Sequence, residues 1–187
     1  MLRRLIICTG LAIMIVTLPV GAAGAKTVSP EKWASKFCSA LQTWQKTLKD
    51  EEADATAALS GASGDLVALR QRLITFLSND IAATDDAIDS IKAAGTPSST
   101  NGAKIVNKVT DGFGGASDVF AGSKAKAEAL STTDSATFVT RATEIVSDLE
   151  AASDEISTSF TGLDALDKKG ELNKAFVKAK ACKFLTS

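Results

Sequence analysis

The chain has 187 residues, of which 21 are basic and 22 acidic, and it contains no histidine. The lack of histidine excludes imidazole-based nucleophile systems and histidine-ligated zinc, haem and di-iron centres. A formal net charge of −1 argues against nucleic-acid binding, because such binding needs an excess of basic side chains on one face.

The first 25 residues have the three-part layout of a secretory signal peptide. Two arginines precede an apolar run over residues 5–20, which is shorter than the roughly 20 residues that a membrane-spanning helix needs. Ala23 and Ala25 have the small-x-small spacing of a cleavage site, so we expect cleavage before Lys26 and a secreted, extracytoplasmic mature chain. The alternative is an N-terminal membrane anchor that forms if the segment is not cleaved.

The first two helices of the mature chain have clear start and stop signals. Ser29 can cap a first helix that Pro30 opens. Its apolar stripe consists of Trp33, Phe37, Leu41, Trp44 and Leu48. A second helix is predicted to begin near Asp65 and to end before Gly95 and Pro97, which are a C-cap candidate and a stop signal.

A third helix is predicted over residues 106–130, and its continuity is open. Four glycines in it each cost about 1 kcal/mol relative to alanine in a helix interior; they are Gly112, Gly114, Gly115 and Gly122. The burial of phenylalanines must offset this cost, or the helix breaks near Gly114. We interpret the segment 112–115 as a close helix approach or a kink, because it lacks the spacing and the lysine of a phosphate-binding loop.

A fourth helix is predicted to begin at the cap residues 131–134 and to carry an apolar stripe from Phe138 to Leu163. A shorter fifth helix is predicted over residues 171–185. No segment alternates apolar and polar residues with a period of two, so we expect no strands. The fold class predicted for residues 26–187 is all-α, a single domain with four long helices in an up-down bundle and a short C-terminal fifth helix.

The two cysteines of the mature chain are predicted to form a disulfide. An even number of cysteines in an exported chain is typical of such a bond. In an up-down bundle the fifth helix begins at the same end as the first, which places Cys38 about 12 Å and Cys182 about 16 Å along their helices. Because the two heights nearly match, a bridge that fastens the fifth helix to the first is geometrically available.

Three short groups of residues in the mature chain carry a resemblance to other proteins. They are Trp33, Cys38, Leu41 and Trp44, then Gly95-Thr96-Pro97 with Asn101-Gly102, and the ending Leu172, Ala175 and Ala181-Cys182. Together they resemble a group of small exported actinobacterial proteins, secreted or lipoprotein-like, that have no assigned activity. The resemblance implies an exported location. It does not imply lipid tethering, because this chain has no cysteine directly after the apolar run.

Three aromatic residues are candidates for a ligand platform: Trp33, Phe37 and Trp44. Their helical spacing favours instead a place in the core beside the disulfide.

Two acidic groups were also considered as metal sites. They are Asp85, Asp86 and Asp89 on the second helix, and Glu150 and Asp154 on the fourth. Neither group has the loop layout of a calcium site, and di-metal bundle centres require histidine, so we expect solvated surfaces and neither metal nor cofactor.

The sequence favours an exported, non-catalytic bundle that binds a cell-envelope component or a protein partner. The alternative is a small-molecule carrier or sensor with an apolar site in the bundle core. The residues expected to line that site are drawn from Trp33, Trp44, Phe76, Phe113 and Phe138. An enzyme that uses paired carboxylates ranks last, because two such groups must converge in a cleft. We expect no nucleic-acid partner and no membrane span after signal cleavage.

Overall fold

The computed structural model describes residues 26–61 and 64–185, so the predicted signal peptide with Ala23 and Ala25 lies outside the described residues. The chain is mostly helical, as predicted. Its helices are α1 (Pro30–Gly61), α2 (Leu66–Ala93), α3 (Gly102–Glu128), α4 (Ser135–Phe160), α5 (Leu163–Leu166) and α6 (Glu171–Lys178), followed by a C-terminal 3-10 helix (Lys180–Leu185). Along the chain α1 packs on α2, α2 on α3 and α3 on α4, while α6 and the 3-10 helix pack on α1.

The long helices begin where side chains satisfy their first backbone N–H groups. The Ser29 hydroxyl accepts a hydrogen bond from the N–H of Lys32 at 3.3 Å. The Asp65 carboxylate accepts the N–H groups of Val67 and Ala68, each at 3.0 Å. Such caps satisfy donors that have no partner inside the helix, and they fix the entry points of α1 and α2.

The expectation that no strands form is wrong at one place. Strands β1 (Thr27–Val28) and β2 (Thr96–Pro97) pair in parallel. The N–H of Thr96 donates to the carbonyl of Lys26 at 3.0 Å, and the N–H of Ser98 donates to the carbonyl of Val28 at 2.8 Å. Two-residue strands are too short to show a period of two, so the hydropathy pattern carries no signal for them.

Helix α3 is continuous through its glycine-rich middle. Gly112 is buried, and a Cβ atom at this position would lie 2.1 Å from the Cβ of Ser159 on α4. A Cβ atom at Gly115 would lie 3.2 Å from a carboxylate oxygen of Glu155. These two glycines therefore let α3 and α4 approach closely, whereas a Cβ atom at Gly114 would lie in open space.

The fourth and fifth helices end earlier than predicted. Helix α4 stops at Phe160, and Gly162 follows with a φ of +79°, a left-handed conformation that glycine adopts without strain. The one-turn helix α5 begins after this turn. The predicted fifth helix is divided at Ala179, whose extended backbone separates α6 from the 3-10 helix.

The predicted disulfide is confirmed. Cys38 and Cys182 are bonded, with their Cα atoms 5.1 Å apart and 144 positions apart in sequence. The bond joins α1 to the C-terminal 3-10 helix. Both cysteines are buried in the largest core cluster, which also contains Trp33, Phe37 and Phe113.

Two smaller clusters fill the rest of the interior. One lies where α2, α3 and α4 meet and includes Leu77, Phe138 and Ile145. The other consists of Ala116, Phe120 and Ala152, with partly buried aliphatic side chains packed against them. Within the described ranges, no helix is both long enough and apolar enough to cross a bilayer.

Candidate functional site

A cleft of about 700 Å³ is formed by residues of all four long helices. Its apolar lining consists of Leu48, Ala55, Leu73, Phe76, Phe120, Val146 and Leu149. The cleft exists because the second half of α1 packs loosely. The fully buried residues of α1, among those whose side chains are described, all lie between Trp33 and Leu41. Beyond them the apolar stripe weakens, and the space beside α1 stays open.

One carboxyl group lies in the wall of this cleft. Asp80 on α2 lines the cleft and is only 3% exposed. Its Oδ1 atom has no hydrogen-bond partner among the described residues. A buried polar atom without a partner costs free energy, and native structures rarely leave one unless a water, ion or ligand satisfies it.

The environment of Asp80 favours the neutral carboxylic acid. Burial, and to a smaller extent the negative charge of Glu51 on α1, together raise the pKa of Asp80 from its ordinary value of 3.8 to about 7. Glu51 itself is half-buried and accepts a hydrogen bond from the side-chain amide of Asn79 at 2.7 Å. At neutral pH the acid and carboxylate forms of Asp80 are therefore comparably populated.

The charged residues at the cleft stand on its rim. Lys49 and Glu52 on α1 and Arg72 on α2 line the cleft with exposed side chains. Helices α3 and α4 contribute only uncharged residues to the described lining. The site thus combines an apolar wall, one buried carboxyl group and a mixed charged rim.

Asp80 is not among the site residues that the sequence pattern predicts. A usable signal was present, because Asp80 lies three positions after Leu77 and four before Thr84, on the apolar stripe of α2. All three residues are buried. The Thr84 hydroxyl turns inward and donates to the backbone carbonyl of Asp80 at 2.7 Å. An acidic residue at helical spacing within an apolar stripe indicates a buried carboxyl group.

The predicted aromatic platform is located elsewhere. Trp33 and Phe37 are each 1% exposed and stack with ring centroids 5.0 Å apart. They border a smaller cavity of about 220 Å³, beside Phe160 and Phe176. The indole nitrogen of Trp33 has no hydrogen-bond partner within the described residues. Burial of both rings beside the disulfide favours the core interpretation over the ligand platform.

Trp44 occupies a different environment. Its indole N–H donates to the Thr84 hydroxyl at 3.1 Å, and its ring meets Phe113 edge-on at 5.0 Å. It also lines a groove of about 680 Å³ between α1 and α2, whose walls are mainly small and polar residues such as Ser39 and Ser90.

The residues expected to line a carrier site are mostly not in the cleft. Phe76 lines it. Trp33 and Phe113 lie in the core around the disulfide, and Phe138 lies in the cluster between α2, α3 and α4. The structure therefore brings Phe76 together with a set of aliphatic residues that the sequence did not indicate.

The acidic side chains considered as metal ligands lie on the surface where the structure describes them, and that of Glu150 is outside the described part. The Asp85 carboxylate accepts a hydrogen bond from the Ser117 hydroxyl at 3.0 Å, which joins α2 to α3. Asp86 lines the α1–α2 groove, and Asp89 and Asp154 are exposed. In residues 26–61 and 64–185, no three acidic or cysteine side chains come together in a way that would hold a metal ion.

Comparisons with known proteins give no family for the chain. No family model matches it, and neither does any curated protein or solved structure.

Proposed function

We propose that the chain is an exported, non-catalytic binding protein that holds a small amphipathic molecule in the cleft, as a carrier or sensor. The observation that carries the proposal is the cleft itself. Its volume of about 700 Å³ falls within the roughly 300–1,000 Å³ of small-molecule sites, which combine apolar walls with a few polar groups. An amphipathic constituent of the cell envelope is one source of such a molecule.

The apolar wall of the cleft is better suited to bind an apolar molecule than the groove between α1 and α2. Leu73, Phe76 and Leu149 are only half-buried although they pack against the core cluster between α2, α3 and α4. A bound apolar molecule would cover them and remove their remaining surface from water, which is the main source of binding free energy in such sites. The α1–α2 groove has a similar volume, but it offers small and polar residues instead.

Export is supported by two features. The disulfide between Cys38 and Cys182 is the kind of bond that persists in oxidising compartments. The segment 1–25 has the composition of a signal peptide. We also propose that the four long helices alternate in direction as an up-down bundle, because the connections between them are short.

Binding of a protein partner to an exposed face of α4 is a second candidate function. Val139 and Val146 are 62% and 57% exposed and lie seven positions apart on α4, which places them on one face of the helix. A partner with an apolar helix face would cover them. If this face is the functional one, Val139→Lys abolishes recovery of a specific partner from the producing cell and leaves ligand binding in the cleft unchanged.

The cleft is tested with a neutral aliphatic probe and two matched variants. We expect n-decanol to bind the purified exported protein saturably in isothermal titration calorimetry. Ala55→Trp fills the cleft and should weaken binding at least tenfold, whereas Ala82→Trp places the same side chain at the α1–α2 groove and should leave it unchanged. Equal binding to both variants, or no saturable binding to the wild type, would contradict the proposal.

The non-catalytic part of the proposal has its own test. Hydrolytic or transfer activity in the purified protein that Asp80→Asn abolishes would show that the cleft is an active site. We expect no such activity.

A further inference from the structure

We propose that the ligand of the cleft is a cationic amphiphile, an apolar molecule with one protonated amine that pairs with the carboxylate of Asp80. The inference rests on the proposed function and adds the chemical class of the ligand. It is carried by a buried carboxyl group that has no partner of its own inside a ligand-sized apolar cleft.

Asp80 lacks the partners that buried carboxylates normally have. It is 3% exposed, and its Oδ1 atom has no hydrogen-bond partner among the described residues. The ion pairs found in the described part of the chain do not include it. Buried charges are normally paired, so the structure leaves a position for a cation next to this group.

The charged groups around Asp80 lie on α1 and α2. Helix α1 provides Glu51, which acts on Asp80 electrostatically, together with the rim residues Lys49 and Glu52. Helix α2 provides Arg72 on the rim, and the described lining from α3 and α4 is uncharged. The charged group that acts on Asp80 is thus another carboxylate, that of Glu51. An anionic ligand head would add a third negative charge there, whereas an ammonium group would offset one of the two negative charges.

The affinity of the cleft for an amine should fall as the pH is lowered. An alkylammonium group resembles the lysine side chain, with a pKa of about 10.4, and stays charged between pH 6 and pH 8. The pKa of Asp80 is about 7, so acidification converts the carboxylate into the neutral acid and removes the partner of the ammonium group. Linkage then requires the affinity for the amine to fall about tenfold between pH 8 and pH 6.

The test compares three probes with the same chain length: n-decylamine, n-decanol and n-decanoate. At pH 8 we expect n-decylamine to bind the exported protein at least tenfold more tightly than n-decanol. Asp80→Asn should remove this difference by weakening the binding of n-decylamine at least tenfold. Asp89→Asn alters an exposed carboxylate on the same helix, and it should have no effect on any probe.

The outcomes separate this inference from the proposed function. Equal affinities for the amine and the alcohol, or tightest binding of n-decanoate through the rim residues Lys49 and Arg72, would overturn the cationic ligand and leave the cleft as a binding site. Failure of all three probes to bind would overturn both. If Asp80→Asn does not fold, the wild-type pH profile decides, because a flat profile for n-decylamine also contradicts the inference.

Discussion

Replacing Asp80 with asparagine should stabilise the protein above neutral pH. Asparagine keeps the shape of the side chain and cannot ionise, so it removes the free energy required to hold a carboxylate in an apolar wall. Most substitutions of buried residues destabilise a protein, so an increase in the free energy of unfolding would point to the removal of an unfavourable buried charge.

The magnitude follows from the pKa of Asp80, which is raised from 3.8 in the ordinary case to about 7 in the folded chain. A carboxyl group with a raised pKa contributes its stability fully below pH 3.8 and loses it as the pH rises through about 7. Each pKa unit corresponds to about 1.4 kcal/mol, so the complete loss is about 4 kcal/mol. Local relaxation and water entry reduce this value, and we expect a gain of about 2–4 kcal/mol for the variant at pH 8.

The assay is urea-induced unfolding, followed by circular dichroism at pH 4.5, 6 and 8. Because other carboxyl groups also titrate, the relevant quantity is the difference in free energy of unfolding between Asp80→Asn and the wild type. This difference should grow steadily with pH, whereas Asp89→Asn should stay within about 0.5 kcal/mol of the wild type at each pH. A difference for Asp80→Asn that does not change between pH 4.5 and pH 8 would refute the argument that the fold raises the pKa of this group.

Two further predictions concern packing and the disulfide. Gly112→Ala should lower the free energy of unfolding by about 1–3 kcal/mol, because the added methyl group collides with Ser159. Gly114→Ala, in open space on the same helix, should raise the free energy of unfolding by about 0.5–1 kcal/mol. Thermal melts in which both variants are destabilised to the same extent would contradict the close approach of α3 and α4. Reducing the Cys38–Cys182 bond should lower the free energy of unfolding by about 2–5 kcal/mol, because the bond closes a loop of 144 residues. The melting temperature should fall accordingly. Two free thiols in a titration of the native exported protein would refute the bond itself.

The beginnings of α1 and α2 and the end of α2 were predictable because their signals are local. Ser29, Asp65 and the Gly95 region act through hydrogen bonds or backbone angles within a few residues, and such effects can be read from neighbouring positions. The disulfide was predictable from the even number of cysteines in the mature chain, whereas the estimate of their heights assumed a continuous fifth helix that in fact is divided at Ala179 before Cys182. By contrast, β1 and β2 pair only because the loop after α2 lies beside the residues before α1, which is a tertiary effect.

The cleft could not be predicted from the helical pattern. Its lining comes from all four long helices, so its volume depends on how those helices are placed relative to one another. This placement is not encoded in the periodicity of one helix. The position of Asp80 on the buried stripe of α2 was readable, but its lack of a partner depends on side chains from other helices.

The central claim is that the cleft binds an amphiphile through Asp80, and a crystal structure of the exported protein with n-decylamine tests it most directly. We predict that the alkyl chain lies along Leu73, Phe76 and Leu149 and that its nitrogen is within about 3.2 Å of an Asp80 carboxylate oxygen. An empty cleft in a crystal saturated with the amine, or an amine bound only in the cavity beside Trp33, would contradict the account.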